Sequence, residues 1–300
     1  MRLCAVVLVT LALTSAGCLA GTAPVTLHAG EEPPHATPLP PLPPPPSPPI
    51  VLRRTHIAAA RYERESSTRI AAAGVNAGVR IALGGTVVVT PVDDQLVERS
   101  EVTRASANGR AVYMDPEAGT APMVGTRMSA RFDATNTVIG ESALDHVPAG
   151  ADPLVAEVAR MVYAHLRVQF PDGPVRTGDR WAGRPIYMDT RGSGGWVGLW
   201  LRPSFELRAV DGELATIAWS GEVETERFCD IGPCLVGRGD VTGTTRLDLS
   251  DGFTSTTELR FDVALRAEAA PPDSSPILVI EASFTDALRR SSVSEPDETR

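Results

Sequence analysis

Two cysteines in the second half of the chain are the residues with the clearest potential chemistry. Cys229 and Cys234 flank Asp230-Ile231-Gly232-Pro233, a turn sequence between two strand patterns. Thiols this close pair readily in an oxidising compartment, and a bridge across so short a loop would stabilise the fold by roughly 2 kcal/mol. We therefore predict a structural disulfide. The alternatives are a metal site, which needs more ligands than the neighbourhood offers, and a redox site, which usually has the shorter Cys-x-x-Cys spacing.

The remaining reactive residue types show no catalytic spacing. His56, His146 and His165 stand apart, and none belongs to a His-Glu-x-x-His arrangement. The chain has no Lys and no Gly-x-Ser-x-Gly elbow, which leaves out several hydrolase and phosphate-binding motifs. Asp93 and Asp94 lie beside turn residues and are interpreted as solvated. The sequence thus predicts no catalytic residue, no metal and no cofactor, hence no enzyme. A hydrolase with an unrecognised active site is the alternative.

The charge balance bears on the partners. Formal net charge is −9 at pH 7, the acidic residues are scattered, and every basic residue is Arg. A protein that binds nucleic acid electrostatically needs a basic face to displace counterions, so we predict no nucleic-acid partner. Hydrophobic residues make up 43% of the chain, a share that excludes wholesale disorder.

The N-terminus resembles an export signal. Arg2 precedes an apolar run from Leu3 to Leu13, which has the length of a signal-peptide core and is too short to span a bilayer. Small residues then lead to Cys18, as in the bacterial lipobox, whose Cys is diacylated and becomes the mature N-terminus. Ser15 stands where the lipobox normally has Leu.

We therefore predict a signal peptide over residues 1–17 and a lipid on Cys18. A diacylated Cys carries the two chains that stable membrane anchoring needs. Ordinary cleavage, for instance after Ala20, and an uncleaved anchor are the alternatives. Because Leu19 rather than Asp follows the Cys, the expected location is the outer membrane, with the protein facing the periplasm or the surface.

Residues 18–50 are expected to form a linker. Pro33 to Pro49 is mostly proline, which lacks backbone donors and favours polyproline II. At about 3.1 Å per residue this run is a semi-rigid spacer of roughly 50 Å. We predict that it holds the following domain away from the membrane; a PxxP ligand for a partner is the alternative.

Residues 51–290 form the body, and most of it is predicted as β-strand. Gly84-Gly85, Asn108-Gly109, Asp211-Gly212 and Asp251-Gly252 are interpreted as turns between strands. The strand patterns cover Val51–Ile57, Gly78–Leu83, Thr86–Val92, Leu96–Arg104, Met123–Phe132, Val138–Leu144, Phe205–Val210, Leu214–Val223, Val241–Leu249, Phe253–Ala267 and Ile277–Leu288. Residues 291–300 are expected to be a frayed polar tail.

One amphipathic helix is predicted over residues 152–168. Asp152 is a good N-cap and Pro153 suits the first helical position. An apolar stripe with three-to-four spacing follows: Leu154, Val155, Val158, Met161, Val162 and Leu166. The predicted fold class is mainly β (α+β), with two antiparallel meanders forming a curved sheet or half-barrel around this helix.

The segment after the helix resembles a motif of uncharacterised bacterial exported lipoproteins, written Pro-x-x-Pro-Val-x-x-Gly-Asp-x-Trp. The matching residues are Pro171, Pro174, Val175, Gly178, Asp179 and Trp181. The resemblance covers most of the body and implies a meander, a helix and a second meander, with no established activity. The body is also loosely similar in fold to periplasmic lipoprotein carriers, which hold acyl chains.

The motif has a physical interpretation of its own. Gly178 permits a left-handed turn, Asp179 can accept hydrogen bonds from backbone donors, and Trp181 is a large apolar group with a polar N–H. We therefore predict a structural role, with a functional surface as the alternative.

A second aromatic segment is the candidate for ligand contact. In Gly194 to Leu201 both alternating sets of residues are apolar or glycine. Gly198 between Trp196 and Trp200 would leave a notch in which a ligand could lie against the rings; core packing is the alternative. The sequence thus favours a lipid-anchored envelope protein whose body binds an apolar ligand or an envelope protein.

Overall fold

A computed structural model of the chain shows one antiparallel sheet and one α-helix within the residues that it describes. It describes residues 48–54, 60–73, 77–110, 120–189, 198–227, 234–253, 255–271 and 274–291. The predicted signal peptide, nearly all of the linker and nearly all of the C-terminal tail lie outside these ranges. Their assignments therefore stay predictions.

Twelve strands form the sheet. They are β1 (Ala60–Ala73), β2 (Ala77–Val92), β3 (Gln95–Arg110), β4 (Arg127–Phe132), β5 (Ala143–His146), β6 (Arg180–Ala182), β7 (Ile186–Asp189), β8 (Gly198–Asp211), β9 (Leu214–Thr225), β10 (Leu235–Asp248), β11 (Ser255–Ala267) and β12 (Leu278–Arg290). The helix α1 covers Pro153–His165, and a single 3-10 turn covers Ala121–Met123.

The sheet consists of two meanders joined at one seam. Neighbouring strands follow the order β5-β4-β3-β2-β1-β12-β11-β10-β9-β8-β6, and β7 also pairs with β8. The seam is the antiparallel pairing of β1 with β12, from Tyr62 opposite Arg290 to Ala73 opposite Val279. The two ends of the path are not paired with each other, so the sheet does not close. The predicted mainly β class is confirmed.

The turns of the second meander follow the prediction. Gly212 between β8 and β9 and Gly252 before β11 both have positive φ, at 59° and 66°. Glycine adopts this conformation without the steric cost that a Cβ brings. The Asp-Gly dipeptides therefore end these strands, as the sequence predicts.

Two glycine turns predicted in the first meander are wrong. Gly84-Gly85 lies inside β2, where the register with β3 shifts by a bulge, and a Cβ at Gly85 would clash with the carbonyl of Glu101. Asn108-Gly109 lies inside β3, opposite Arg80 and Val79 of β2. At Gly85 the glycine permits close approach between strands, which a single sequence cannot distinguish from a turn.

Strand β1 is absent from the sequence-based assignment, and the strand predicted at Val51–Ile57 is wrong for its described part. Residues 51–54 are not in a strand, although Ile50 forms an isolated bridge with Val175. In β1, Tyr62 and Arg64 are both buried although one is charged. An inward-facing Arg breaks the apolar alternation by which strands are recognised.

The helix is shorter than the predicted range 152–168. Its start is confirmed, because Asp152 Oδ1 accepts a hydrogen bond from the backbone N–H of Val155 at 3.3 Å. It ends at His165, and the Arg167 side chain donates from Nε to the carbonyl of Tyr163 at 2.9 Å. This bond satisfies one of the carbonyl groups that the last turn leaves free.

The helix and the segment after it pack against both meanders. Tyr163 and Ala164 belong to the core of the first meander, and Leu166, Val168 and Phe170 belong to the core of the second. The face of the sheet that packs against this region is called the inner face below. The helix thus bridges the two halves of the sheet.

Candidate functional site

A charged cluster lies between the inner face and the helix. Glu98 of β3 is fully buried and forms ion pairs with Arg54 and Arg167. Arg167 donates from Nη1 and Nη2 to the two carboxylate oxygens, both at 2.8 Å, and the Tyr163 hydroxyl donates to Oε2 at 3.2 Å. The Glu98 carboxylate therefore connects β3 to the helix region and to the N-terminal segment, residues 48–54.

The cluster keeps Glu98 ionised. Burial raises the pKa of this carboxyl group, but ion pairs with Arg167 and Arg54 outweigh that effect and lower the pKa to about 2. Burial and the nearby Glu98 charge raise the pKa of Tyr163, so its hydroxyl remains a donor. Burial is also the main cause that lowers the pKa of His165 to about 4, and the charges of Arg160 and Arg167 lower it further.

Aromatic rings enclose the guanidinium groups. The Arg54 guanidinium carbon lies 4.7 Å from the ring centroid of Phe132 and 4.2 Å from that of Phe253. Arg167 lies 4.5 Å from Phe132 and 5.1 Å from Tyr163. Cations over ring faces gain electrostatic attraction, so the rings offset part of the cost of burying these charges.

A second ion pair lies at the seam. Arg64 of β1 donates from Nε to Asp286 Oδ1 of β12 at 2.8 Å, and its guanidinium carbon lies 4.7 Å from the Tyr163 ring. A small cavity of about 30 Å³ lies beside this pair. Arg54, Asn136 and Thr257 also line it.

An open groove continues from this pair along the sheet. Tyr62, Arg64 and Ser66 alternate along β1 and therefore share the inner face. Tyr62 and Arg64 are buried, whereas Ser66 is only half-buried and lines a groove of about 560 Å³. Pockets for small molecules typically measure about 300–1,000 Å³.

The groove is lined by small residues, both apolar and polar, and by charged residues. Ser66, Leu83 and Ala105 are register neighbours on β1, β2 and β3. The charged residues of the lining are Glu65, Arg80, Arg104, Glu258 and Asp286. Thr257 and Asp286 line both the groove and the small cavity, so the two spaces adjoin.

The predicted ligand-contact residues lie elsewhere. Trp196 is outside the described residues. Trp200 is 37% exposed, packs against the tilted Tyr187 ring at 4.6 Å between ring centroids, and lines neither the groove nor the small cavity. Gly198 is buried, and a Cβ there would meet the Tyr187 hydroxyl. Ligand contact at these residues stays a prediction for a surface separate from the groove.

The turn predicted at Gly178 and Asp179 is confirmed. Gly178 has a φ of 94°, and Asp179 Oδ2 accepts a hydrogen bond from the backbone N–H of Arg176 at 2.7 Å. Trp181 donates from Nε1 to the carbonyl of Gln169 at 2.7 Å and packs on the core of the second meander.

The rest of the motif fixes the N-terminal segment. Val175 exchanges two backbone hydrogen bonds of 2.8 Å with Ile50, and Pro171 and Pro174 flank the bend that leads to it. The motif thus ties the entry of the body to the second meander.

The other predicted chemistry is only partly covered by the structure. Cys229 lies outside the described residues and Cys234 directly precedes β10, so the disulfide stays a prediction. Within the described ranges, no three or more His, Cys, Asp or Glu side chains are grouped to hold a metal ion. The described helices are too short or too polar to cross a membrane.

The comparisons with known proteins give little. No family model matches the chain, and no curated protein matches it. Among solved structures, the chain is similar to DynF from the dynemicin biosynthesis pathway of Micromonospora chersina, with a TM-score of 0.25 and 8% identity. The match covers 82% of this chain and 87% of that one. A TM-score this low carries no argument about function.

Neither the charged cluster nor the groove was predicted from the sequence. Glu98 occupies an inner-face position of β3, between the buried residues Leu96 and Ser100. An acidic residue at an inward-facing position of an alternating strand indicates a buried ion pair, because burying an unpaired charge there would cost too much free energy. Its partners Arg54 and Arg167 are distant in sequence and carry no local signature.

Proposed function

We propose that this chain is a non-enzymatic, lipid-anchored cell-envelope protein whose body binds a small amphipathic ligand in the groove. The observation that carries the proposal is the groove itself, which lies on the part of the inner face that the helix leaves open. Its volume of about 560 Å³ suits a small ligand. A partner protein on the same face is the second occupant that the groove would accept.

The lining sets the chemistry of that ligand. Leu83, Ala82, Ala105 and Ala287 offer apolar contact, while Ser and Thr hydroxyls offer hydrogen bonds. Charged groups, among them Arg80, stand around them. This combination fits a molecule with an apolar body and a polar or charged group better than a purely apolar chain.

The charged cluster supports binding rather than catalysis. Glu98 and Tyr163 are buried, are committed to ion pairs and hydrogen bonds, and do not line the groove. Asp286, a carboxylate of the groove lining, is likewise committed to its ion pair with Arg64. The arrangement holds the helix in place and leaves the groove as the accessible feature.

The predicted lipid on Cys18 and the proline-rich spacer support the proposed location in the cell envelope. A lipid on Cys18 would anchor the chain, and the proline-rich spacer would raise the body above the bilayer surface. A binding domain held at that distance could receive ligands from the membrane or from the surrounding compartment.

Filling the groove tests the proposal. Ala105 is half-buried in the groove lining, so Ala105→Trp should fill part of the space without disturbing the fully buried core. Ala209 is exposed on β8 and is not part of the lining, which makes Ala209→Trp the matched control. The assay titrates the purified protein with a fluorescent medium-chain amphiphile.

We expect the groove variant to weaken binding at least tenfold and the control to bind like the wild type. Equal binding by all three proteins would place the ligand elsewhere and overturn the proposal. Circular dichroism and thermal unfolding of each variant check that the sheet is intact.

A further inference from the structure

The small cavity beside the Arg64–Asp286 pair has unused hydrogen-bond donors. Arg54 is buried, its Nη1 pairs with Glu98, and its Nε has no hydrogen-bond partner among the described residues. The cavity of about 30 Å³ has room for about two water-sized groups. Arg54 lines it, and a buried donor without a partner is costly.

Two threonines in the lining supply a second donor. Trp219 Nε1 donates to Thr245 Oγ1 at 2.9 Å, and the hydroxyls of Thr245 and Thr257 are 2.9 Å apart. An indole N–H can only donate, and each Thr hydroxyl has one proton. One hydroxyl proton is used between the two threonines, so the other remains free whichever direction that bond takes.

The charges around the cavity do not balance. Arg54, Arg64 and Arg167 line it together with Asp286, and Glu98 lies against two of these arginines. The lining itself thus contains three guanidinium groups and one carboxylate, an excess of positive charge that Glu98 offsets in part. The next carboxylate, Asp251, accepts a hydrogen bond from the backbone of Phe253 and is not part of the cavity lining.

We propose that this cavity is a binding site for one small anionic group, either a free halide ion or the carboxylate of an amphiphile that lies in the groove. Arg54 Nε and the free threonine hydroxyl donate to the anion, and its negative charge offsets the excess positive charge of the lining. A carboxylate can enter from the groove, because Thr257 and Asp286 border both spaces.

One oxygen atom of the cavity lining is a hydrogen-bond acceptor and therefore needs a donor rather than an anion. Asn136 donates from Nδ2 to the carbonyl of Val168 at 2.7 Å, and its buried Oδ1 is an acceptor for which the described part of the chain provides no donor. An anion cannot satisfy this oxygen, but a water molecule beside the anion can. The cavity has space for both.

Bromide is the probe, because its anomalous scattering locates it in crystals. In solution, thermal unfolding is compared in sodium bromide and in sodium isethionate at equal ionic strength, since the sulfonate group of isethionate is larger than bromide and is not a carboxylate. A bromide affinity of about 10 mM would raise the folding equilibrium constant about tenfold at 100 mM.

Arg54→Lys is the test variant. It keeps the positive charge beside Glu98 but removes the Nε–H. The bromide affinity derived from the bromide-dependent stabilisation should therefore fall at least tenfold. Arg260 is exposed on β11, and Arg260→Lys is the matched control that should retain the full effect. Should Arg54→Lys not fold, the anomalous map of the wild-type protein still decides the question.

A competition experiment then distinguishes the two sources. Laurate, but not dodecanol, should displace bromide if the site receives a carboxylate from the groove; a free halide site keeps bromide in the presence of both. Only this comparison rests on the proposed function, so the bromide site can stand if the groove binds nothing. Bromide peaks confined to exposed arginines, an adventitious ion only, or equal stabilisation of the Arg54→Lys variant, would overturn the proposal and leave a water-filled cavity.

Discussion

Replacing Glu98 with Gln removes the carboxylate that the Arg54 and Arg167 guanidinium groups share. Both cations then remain buried beside the helix with a neutral amide between them. Removal of one partner from a buried ion pair typically costs about 3–5 kcal/mol. The pKa gives a similar figure, because a decrease from 4.5 to about 2 corresponds to roughly 3 kcal/mol. We therefore expect Glu98→Gln to lower the free energy of unfolding by about 3–5 kcal/mol.

The pH dependence gives an independent check. Because the folded-state pKa of Glu98 is below its ordinary value, the carboxylate stabilises the fold above about pH 4.5. This contribution decreases as the pH falls towards 2. The difference between wild type and Glu98→Gln should therefore be largest near neutral pH and shrink in acid.

Urea unfolding followed by circular dichroism measures the difference. Glu65→Gln is the control, because the Glu65–Arg104 pair is about 70% exposed on both sides and exposed pairs contribute at most about 1 kcal/mol. If Glu98→Gln costs no more than this control, the cluster does not hold the helix to the sheet and our reasoning is wrong.

The remaining predictions concern the anchor, the disulfide and the motif turn. Cys18→Ser should release the protein from the membrane fraction; a variant that stays membrane-bound would contradict the lipid anchor. Cys229 and Cys234 should resist alkylation until reduced, and reduction should lower the melting temperature by a few degrees; free thiols in protein isolated from the envelope would argue against the bridge. Asp179→Ala should lower the free energy of unfolding by about 1–2 kcal/mol in a urea titration, since it removes the acceptor of the Arg176 N–H. No measurable change would show that water replaces that bond.

The strands of the second meander could be predicted from sequence because their signals are local. Alternating residues mark β11, and Asp-Gly dipeptides mark the turns before β9 and β11. In the first meander, Arg64 faces inward to pair with Asp286, and Gly85 allows a bulge in place of a turn. These features depend on residues of other strands, so a local pattern cannot show them.

The candidate site was harder to predict than the fold. Glu98 and Arg167 are 69 positions apart, and their ion pair exists only once the helix lies on β3. The groove is likewise a product of the topology, because its lining comes from β1, β2, β3, β11 and β12. Ligand contact was predicted around Trp200 because large aromatic residues are recognisable in a sequence. Small groove residues such as Ser66 and Ala105 have no such local signal.

Native mass spectrometry of the protein isolated from its own host tests the central claim most directly, because it detects a retained ligand whatever the identity of that ligand. The account predicts an additional mass of one small amphiphile on the wild-type body, and its absence from the Ala105→Trp variant prepared in parallel. A wild-type protein that carries no ligand, and that binds no amphiphile when one is added, would contradict the account.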